Sequence, residues 1–261
     1  AILHYQPEIV KQLLAFKILN VNAKCQNKGN EETPLMLAID KRQMNVIKML
    51  LDEEKIDINE TSIIDGNELT PLYLALLMNY NEVIEILFKR NDLDINAKSK
   101  ILRIIQRESY SVKEVSTETV LHFCVNNSLI NLIERILQRD DVVVNVPLMQ
   151  KNEFDFTTSY PILFLAVNAD LDFEIVKLLL SKKGIDINTE KITHINDKVI
   201  KISTLHKAVL CGNLSTIKLL LDQEEINIYI RDSDGELPEE LTDNDDIKEL
   251  FAKKRAAIKD K

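Results

Sequence analysis

The sequence predicts an all-α repeat solenoid, in which short helix–turn–helix units stack on one another. The first observation is a hexad at residues 33–38 (Thr-Pro-Leu-Met-Leu-Ala), which returns at residues 70–75 (Thr-Pro-Leu-Tyr-Leu-Ala). The second is a matching tail, Ile-Asp-Ile-Asn ending at Asn59 and Leu-Asp-Ile-Asn ending at Asn96, each 21 residues after the alanine. Repetition at a fixed period decides the architecture, because each unit buries its apolar face only against its neighbours.

Degenerate copies of the hexad extend the series. Their anchor residues, which take the place of the alanine, are Cys124, Ala166 and Ala208, and a worn copy lies at residues 237–242. The copies predict one solenoid over residues 1–261, made of a partial first repeat, five repeats and a C-terminal cap: 1–28, 29–65, 66–115 with a long insert, 116–156, 157–199, 200–233 and 234–261. Residue 1 falls at the alanine of a repeat, so we expect the chain to be a fragment of a longer protein.

The hexad and its spacing resemble the ankyrin-repeat family, whose Thr-Pro-Leu-His-x-Ala hexad and period of about 33 residues are distinctive. The Ile, Asn and Lys bias is also similar to that of protist and poxvirus repeats. The resemblance implies that each helix pair is followed by a β-hairpin or loop finger, whose turn is hydrogen-bonded by the tail asparagine. It further implies that His122 and His206, at the histidine position of the hexad, hydrogen-bond backbone between repeats. The formal glycosylation acceptor Asn59 is then structural, and we expect no glycan at Asn213 either.

Each hexad has the chemistry of a helix start. Proline at its second position suits the first helical turn, where a missing N–H costs nothing, and Thr33 or Thr70 before it caps that turn. The alanine is small where a neighbouring repeat must come close. The second helix of each repeat carries apolar residues at helical spacing, as in residues 46–51 and 175–180, and stacking must bury them.

Composition excludes several classes of function. The net charge of −9 argues against a general nucleic-acid binder, which needs a basic surface. No run of 18 apolar residues is present, so no transmembrane segment is predicted. Cys25, Cys124 and Cys211 are scattered, without metal-ligand spacing, which favours a reducing, cytoplasmic location. Cys124 replaces an anchor alanine and is expected to be a small buried residue.

No residue pattern predicts catalysis, a metal site or a cofactor. The sequence has no Gly-rich phosphate loop, no Gly-x-Ser-x-Gly elbow and no His-Glu-x-x-His motif. His194 lies in an insert without a neighbouring Cys or His, so we do not expect it to bind a metal. We therefore expect no enzyme activity.

Ankyrin proteins bind partners on a concave groove formed by the fingers and the inner helices, and the resemblance places two exposed residues at the end of each inner helix. Leu77 and Met78 hold these positions in the third repeat, where two apolar residues indicate a contact patch. The alternative is that a long insert folds over them. The corresponding residues of other repeats are Leu3, His4, Asp40, Lys41, Asn126, Asn127, Asn168, Ala169, Leu210 and Cys211.

The longest insert, before Cys124, contains residues 100–107 (Lys-Ile-Leu-Arg-Ile-Ile-Gln-Arg). On a helix turning about 100° per residue, the aliphatic residues share one face; they are Ile101, Leu102, Ile104 and Ile105. Arg103, Gln106 and Arg107 then occupy the other face. This basic, amphipathic helix would dock an acidic partner or touch a membrane surface. The alternative is that its apolar face packs onto the adjacent finger.

The sequence thus predicts a non-catalytic scaffold or adaptor that binds a protein partner through the concave groove and the fingers. The candidate partner-binding residues are Asp40, Lys41, Leu77, Met78, Ile101, Leu102, Arg103, Ile104, Ile105, Arg107, Asn126 and Asn127. Three alternatives stay open: a targeting domain of a larger enzyme, a structural component of a cytoskeletal or other large assembly, and a viral or pathogen factor that sequesters host proteins.

Overall fold

The computed structural model describes residues 1–16, 18–27, 29–106, 111–167 and 173–259. The chain divides into two compact units, one formed by residues 1–103 with 117–120 and the other by residues 104–116 with 121–261. Helices follow one another in pairs within each unit, and we call the helix that starts at the hexad the inner helix and the next one the outer helix. The α-helices are α1 Pro7–Leu14, α2 Pro34–Asp40, α3 Met44–Leu51, α4 Pro71–Leu77, α5 Asn81–Phe88, α6 Val120–Asn126, α7 Ile130–Leu137, α8 Ile162–Ala166, α9 Phe173–Ser181, α10 Thr204–Cys211, α11 Leu214–Leu221 and α12 Asp245–Lys259.

The prediction of an all-α fold is wrong, because β-strands join the helix pairs. The segments between pairs are rich in β-branched residues, which fit a pleated strand better than a helix. The strands in the described residues are β1 Cys25–Asn27, β2 Asn30–Glu32, β3 Ser62–Ile64, β4 Asn67–Leu69, β5 Lys98–Gln106, β6 Ser111–Thr119, β7 Leu148–Asn152, β8 Thr157–Tyr160, β9 Glu190–Ile195 and β10 Lys198–Ser203.

Neighbouring strands pair antiparallel within each compact unit. In the first unit β1 to β5 pair in chain order, and Glu68 of β4 lies opposite Lys100 of β5. In the second unit β7 to β10 do the same. There Thr193 of β9 lies opposite both Thr158 of β8 and Ile200 of β10, and the Thr158 hydroxyl donates to that of Thr193 at 3.3 Å.

The hexads start the inner helices as the sequence predicts. The Thr33 hydroxyl accepts a hydrogen bond from the backbone N–H of Met36 at 3.2 Å, and Thr70 caps α4 through Tyr73 in the same way. The anchor residues are at most 1% exposed, which confirms that this position is small because a neighbour is close; they are Ala38, Ala75, Cys124, Ala166 and Ala208. The outer helices bury their apolar residues likewise, with at most 2% exposure for Val46, Ile47, Leu50, Ile175, Val176 and Leu179.

The tail asparagines join each repeat to the next. The side-chain amide of Asn59 donates to the carbonyl of Asp92 at 2.7 Å and accepts from the backbone N–H of Asp94 at 2.8 Å. The predicted hydrogen bond to the turn of the finger is therefore wrong, because Asn59 instead binds the loop that follows the outer helix of the next repeat. The same pair of bonds is made by three further asparagines, which are Asn22, Asn145 and Asn188.

Asn213, the other formal glycosylation acceptor, has a structural role of its own. Its side chain accepts from the backbone N–H of Thr216 at 3.1 Å and so caps α11. In the tail itself Ile56 and Ile58 are buried, but the run Ile-Asp-Ile-Asn is a loop, and the strand of its hairpin begins only at Ser62.

In the repeats whose inter-helix turn the structure describes, one residue in the left-handed region of backbone space turns the chain from the inner to the outer helix. It lies four positions after the anchor, with φ between 47° and 70°, at Tyr5, Arg42, Asn79, Ser128 and Gly212. Only the last of these is glycine, the residue that adopts this conformation without steric cost.

The C-terminal segment folds as a short 3-10 helix, Pro238–Leu241, followed by α12. Ile247 and Phe251 of α12 are buried, while most of its charged residues remain exposed. Arg255 of α12 forms an ion pair with Glu239. The segment thus packs through two apolar residues and leaves its charged side exposed.

Candidate functional site

The ends of the inner helices carry the exposed apolar residues that the sequence singles out in the first compact unit. Leu77, the last residue of α4, has 48% of its surface exposed, and Leu3 at the same repeat position has 49%. Met78 is half-buried. The alternative that an insert folds over Leu77 is therefore not what the structure has.

Asp40 and Lys41 hold the same position in the repeat before Leu77. Asp40 is half-buried at the end of α2, and its carboxylate pairs with the exposed ammonium of Lys41 at 2.7 Å. This hydrogen bond raises the pKa of Lys41 above its usual value. The lysine is thus fully charged near neutral pH and forms an ion pair with Asp40 at this helix end.

Arg42 fixes two consecutive inner-helix ends to each other, a role that the sequence did not reveal. Its guanidinium donates to the carbonyl of Met78 at 2.5 Å and lies 5.0 Å from the ring centre of Tyr80. A cation over an aromatic face is attractive, so the backbone around Met78 is held from the neighbouring repeat. The only signal in the sequence is that a long cation and an aromatic residue occur at nearby repeat positions.

Residues 100–106 do not form the predicted amphipathic helix. Lys98–Gln106 is strand β5, in which side chains alternate between two sides, so Arg103 shares a side with Ile101 and Ile105 instead of opposing them. Ile101, Leu102 and Ile105 are half-buried, while Ile104 is 57% exposed. Arg107 lies outside the described residues.

Contacts of β5 explain its extended form. The backbone N–H of Leu102 donates to the side-chain oxygen of Asn67 at 2.8 Å. The Leu102 side chain lies over the hairpin turn, where its Cδ2 would be 3.4 Å from a Cβ added at Gly66. Lys100 pairs with Glu68 of β4 at 2.6 Å. That hydrogen bond lowers the pKa of Glu68 below its usual value. Leu102 therefore packs onto the adjacent finger, as in the alternative given for this insert.

The second compact unit exposes polar and apolar residues at the equivalent helix ends. Asn126 and Asn127 are both exposed. The side-chain amide of Asn127 donates to the carbonyl of Phe123 at 2.8 Å and so caps the C-terminal end of α6. Leu210 is 58% exposed, and Cys211 is half-buried. Asn168 and Ala169 lie outside the described residues.

The histidines of the hexad position bind backbone carbonyls: His206 does so between repeats, as the resemblance implies, whereas the carbonyl that His122 binds lies in its own repeat. Nε2 of His122 lies 3.0 Å from the carbonyl oxygen of Val146, and Nε2 of His206 lies 3.0 Å from that of Glu236. In the third repeat the equivalent residue is Tyr73, whose hydroxyl donates to the carboxylate of Glu118. The Cys124 thiol is buried, which raises its pKa to about 12.

The described residues contain no group of three or more His, Cys, Asp or Glu side chains that could hold a metal ion. Within the same residues, no helix combines the length and the apolar character needed to cross a bilayer.

Comparisons with known proteins agree with this architecture. Residues 1–99 match the family model for ankyrin repeats, with three copies. A search of the curated proteins found no match. Among solved structures, the crystal structure of EF0377, an ankyrin repeat protein, is similar with a TM-score of 0.56 and 19% sequence identity, covering 84% of this chain and 96% of that one. At this identity the likeness establishes the fold alone.

The hexads, the paired helices with their hairpins, the family model over the first three repeats and the solved structure therefore agree. Residues 1–99 thus match ankyrin repeats by sequence, and over most of its length the chain has the fold of a solved ankyrin repeat protein.

Proposed function

We propose that this chain is a non-catalytic scaffold that binds a protein partner at the inner-helix ends of its first compact unit. Ankyrin repeats are generally protein–protein interaction modules. The observation that carries the proposal is Leu77, whose side chain is half exposed at the end of a buried helix. A large apolar side chain on a rigid base is a typical anchor for a partner, because its position costs little entropy to fix.

The surroundings of Leu77 define the partner that fits. Met78 beside it is held by Arg42 of the preceding repeat, and Lys41 supplies a charged edge. Apolar area at the centre with charge at the rim is the usual arrangement of a protein interface. The partner should therefore present an apolar side chain flanked by polar groups.

The test places a photo-crosslinking amino acid at position 77 and, as a control, at position 45, which is exposed on the outer helix α3. After irradiation in cell extract, crosslinked proteins are identified by mass spectrometry and the main product is purified. We expect a product that forms from position 77 and not from position 45. Crosslinking that is equal from both positions would contradict the proposal.

Binding of the purified partner is then measured with two variants. Leu77→Asp should weaken binding at least tenfold, since losing a half-exposed leucine contact and burying a carboxylate cost about 1.4 kcal/mol or more. Asn45→Asp should leave the affinity unchanged. Equal thermal midpoints of both variants would show that the loss at position 77 is not due to unfolding.

A further inference from the structure

The β9–β10 hairpin of the second compact unit carries aliphatic and basic side chains on one of its faces. The register pairs residues 191, 193 and 195 of β9 with residues 202, 200 and 198 of β10. Side chains alternate along a strand, and directly opposite residues lie on the same side of a sheet. Six residues therefore share one face in three rows, and we call it the lysine–isoleucine face; they are Lys191, Thr193, Ile195, Lys198, Ile200 and Ile202.

The middle of this face is apolar and open to solvent. Ile200 is 45% exposed, and its neighbours Ile195 and Ile202 are half-buried. Thr193, opposite Ile200, accepts a hydrogen bond from Thr158 of β8 at 3.3 Å, which fixes its hydroxyl in the sheet. A partner that covered this row would remove aliphatic surface from water.

A lysine lies at each end of the face. The Lys191 ammonium is 5.2 Å from the ring centre of Tyr160, an attractive contact that holds it near the base of the hairpin. Lys198 is exposed beside the hairpin turn. Among the residues that the structure describes, neither ammonium has a carboxylate within 4.0 Å. Both charges are therefore available to a ligand, although the whole chain has a net charge of −9.

The register also fixes the spacing between the two lysines. Lys198 pairs with Ile195, four residues from Lys191 along β9, so their Cα atoms are about 14 Å apart along the strand direction. Ile200 lies halfway, in the middle row. An extended chain places residues i, i+2 and i+4 on one side at intervals of about 7 Å, which matches the three rows. An α-helix rises about 1.5 Å per residue and would need about nine residues to connect the lysines.

We propose that the lysine–isoleucine face binds an extended peptide segment with the pattern acidic–x–aliphatic–x–acidic. The two carboxylates meet Lys191 and Lys198, and the aliphatic side chain packs on Ile200. Charge complementarity and the three-row spacing identify this occupant, whose x residues point to solvent. The face lies in the second compact unit and contains none of the residues around Leu77, so the inference does not depend on the proposed function.

The test titrates two synthetic peptides into the isotopically labelled full chain and follows its amide resonances. Acetyl-Glu-Ser-Ile-Ser-Glu-amide has the proposed pattern. Acetyl-Ser-Glu-Ile-Glu-Ser-amide has the same composition and charge, but in extended form its carboxylates point away from the side of its isoleucine. We expect the first peptide to bind at least fivefold tighter and to shift the amides of residues 191–202. Equal affinities, or no saturable shift with either peptide, overturn the inference.

Matched variants on the two faces of the hairpin separate this site from charge attraction alone. Lys198→Gln should weaken binding of the first peptide at least fivefold, whereas Lys201→Gln removes the same charge from the opposite face and should not. Ile200→Ser should likewise weaken it, while Val199→Ser, at a residue that is 47% exposed on the opposite face, should not. Equal thermal midpoints of the four variants would exclude unfolding as the cause.

Equal effects within either pair of variants overturn the inference, because the two faces are then equivalent to the peptide. So does concentration-dependent dimerisation of the parent chain that Ile200→Ser abolishes, because the occupant is then a second copy.

Discussion

The hydroxyl of Tyr73 donates a hydrogen bond to Oε1 of Glu118, 45 residues away in the first compact unit. Both side chains are 2% exposed, and Oε2 of Glu118 has no hydrogen-bond partner among the described residues. Tyr73 stands where the second compact unit has His122 and His206, so a side chain–side chain bond replaces a bond to backbone in this repeat.

Removal of this hydroxyl should be costly. Tyr73→Phe leaves a buried carboxylate oxygen without its donor, and we expect the free energy of unfolding to fall by about 1–3 kcal/mol. Tyr5→Phe, at a residue that is 58% exposed, should change it by less than about 0.5 kcal/mol. Urea denaturation of both variants provides the measurement, and equal effects would show that the buried bond contributes nothing.

The bonds of Asn59 to the next repeat should contribute measurably to stability. Asn59→Ala removes one donor and one acceptor that join two repeats, and we expect a loss of about 1–2 kcal/mol. Asn45→Ala, on the exposed side of α3, should stay within about 0.5 kcal/mol of the parent. Hydrogen exchange at Asp94 N–H, which loses its acceptor, would locate the effect; unchanged exchange there would contradict it.

The left-handed residue after the inner helix gives a test of pure backbone strain. No atom lies within 4 Å of a Cβ added at Gly212, whose φ is +70°, so Gly212→Ala meets no steric obstacle apart from its own backbone. We expect Gly212→Ala to cost about 1 kcal/mol. Gly212→Asn should cost less, since asparagine tolerates this region, as Asn79 does at the equivalent position. Thermal denaturation that ranks alanine above asparagine would contradict this account.

The ion pair between Glu68 and Lys100 should make the free energy of unfolding depend on pH. The hydrogen bond from Lys100 lowers the pKa of Glu68 in the folded chain below its usual 4.5. The resulting stabilisation is present above pH 4.5 and is lost as the pH falls through the lower, folded-state pKa. Both side chains are partly exposed, so its size is below about 1 kcal/mol.

The measurement compares Lys100→Gln with the parent chain at pH 7 and at low pH. The variant should be less stable at pH 7, and the difference should disappear once Glu68 is protonated in both states. Lys198→Gln, at an exposed residue of β10, serves as the control for a lost positive charge. A difference that persists unchanged at low pH would show that Lys100 acts through packing instead.

Features encoded by residues close in sequence were predictable. Thr33 caps a helix whose first free N–H groups lie within three residues, and the anchor alanine is set by the repeat itself. The position of Leu77 followed from the same register. Each of these predictions needs only the position of the hexad and the number of residues counted from its alanine.

Features decided by distant residues were not predictable in this way. Residues 101–105 have apolar residues at helical spacing, but Leu102 is fixed in a strand by Asn67, 35 residues earlier. The contact of Arg42 with Met78 likewise spans 36 residues. Local periodicity contains no information on such partners, so the helix prediction was wrong and the role of Arg42 was missed.

The asparagine bonds have a consequence for how such a chain can lengthen. Asn22, Asn59 and Asn96 are spaced by 37 residues, and each of the first two reaches only the loop that follows it. A gene duplication that copies any 37 consecutive residues here yields a loop that already carries both the donor for the next loop and the acceptor for the previous one. An inserted repeat therefore forms these hydrogen bonds to both of its neighbours at once, and no compensating substitution has to precede the insertion.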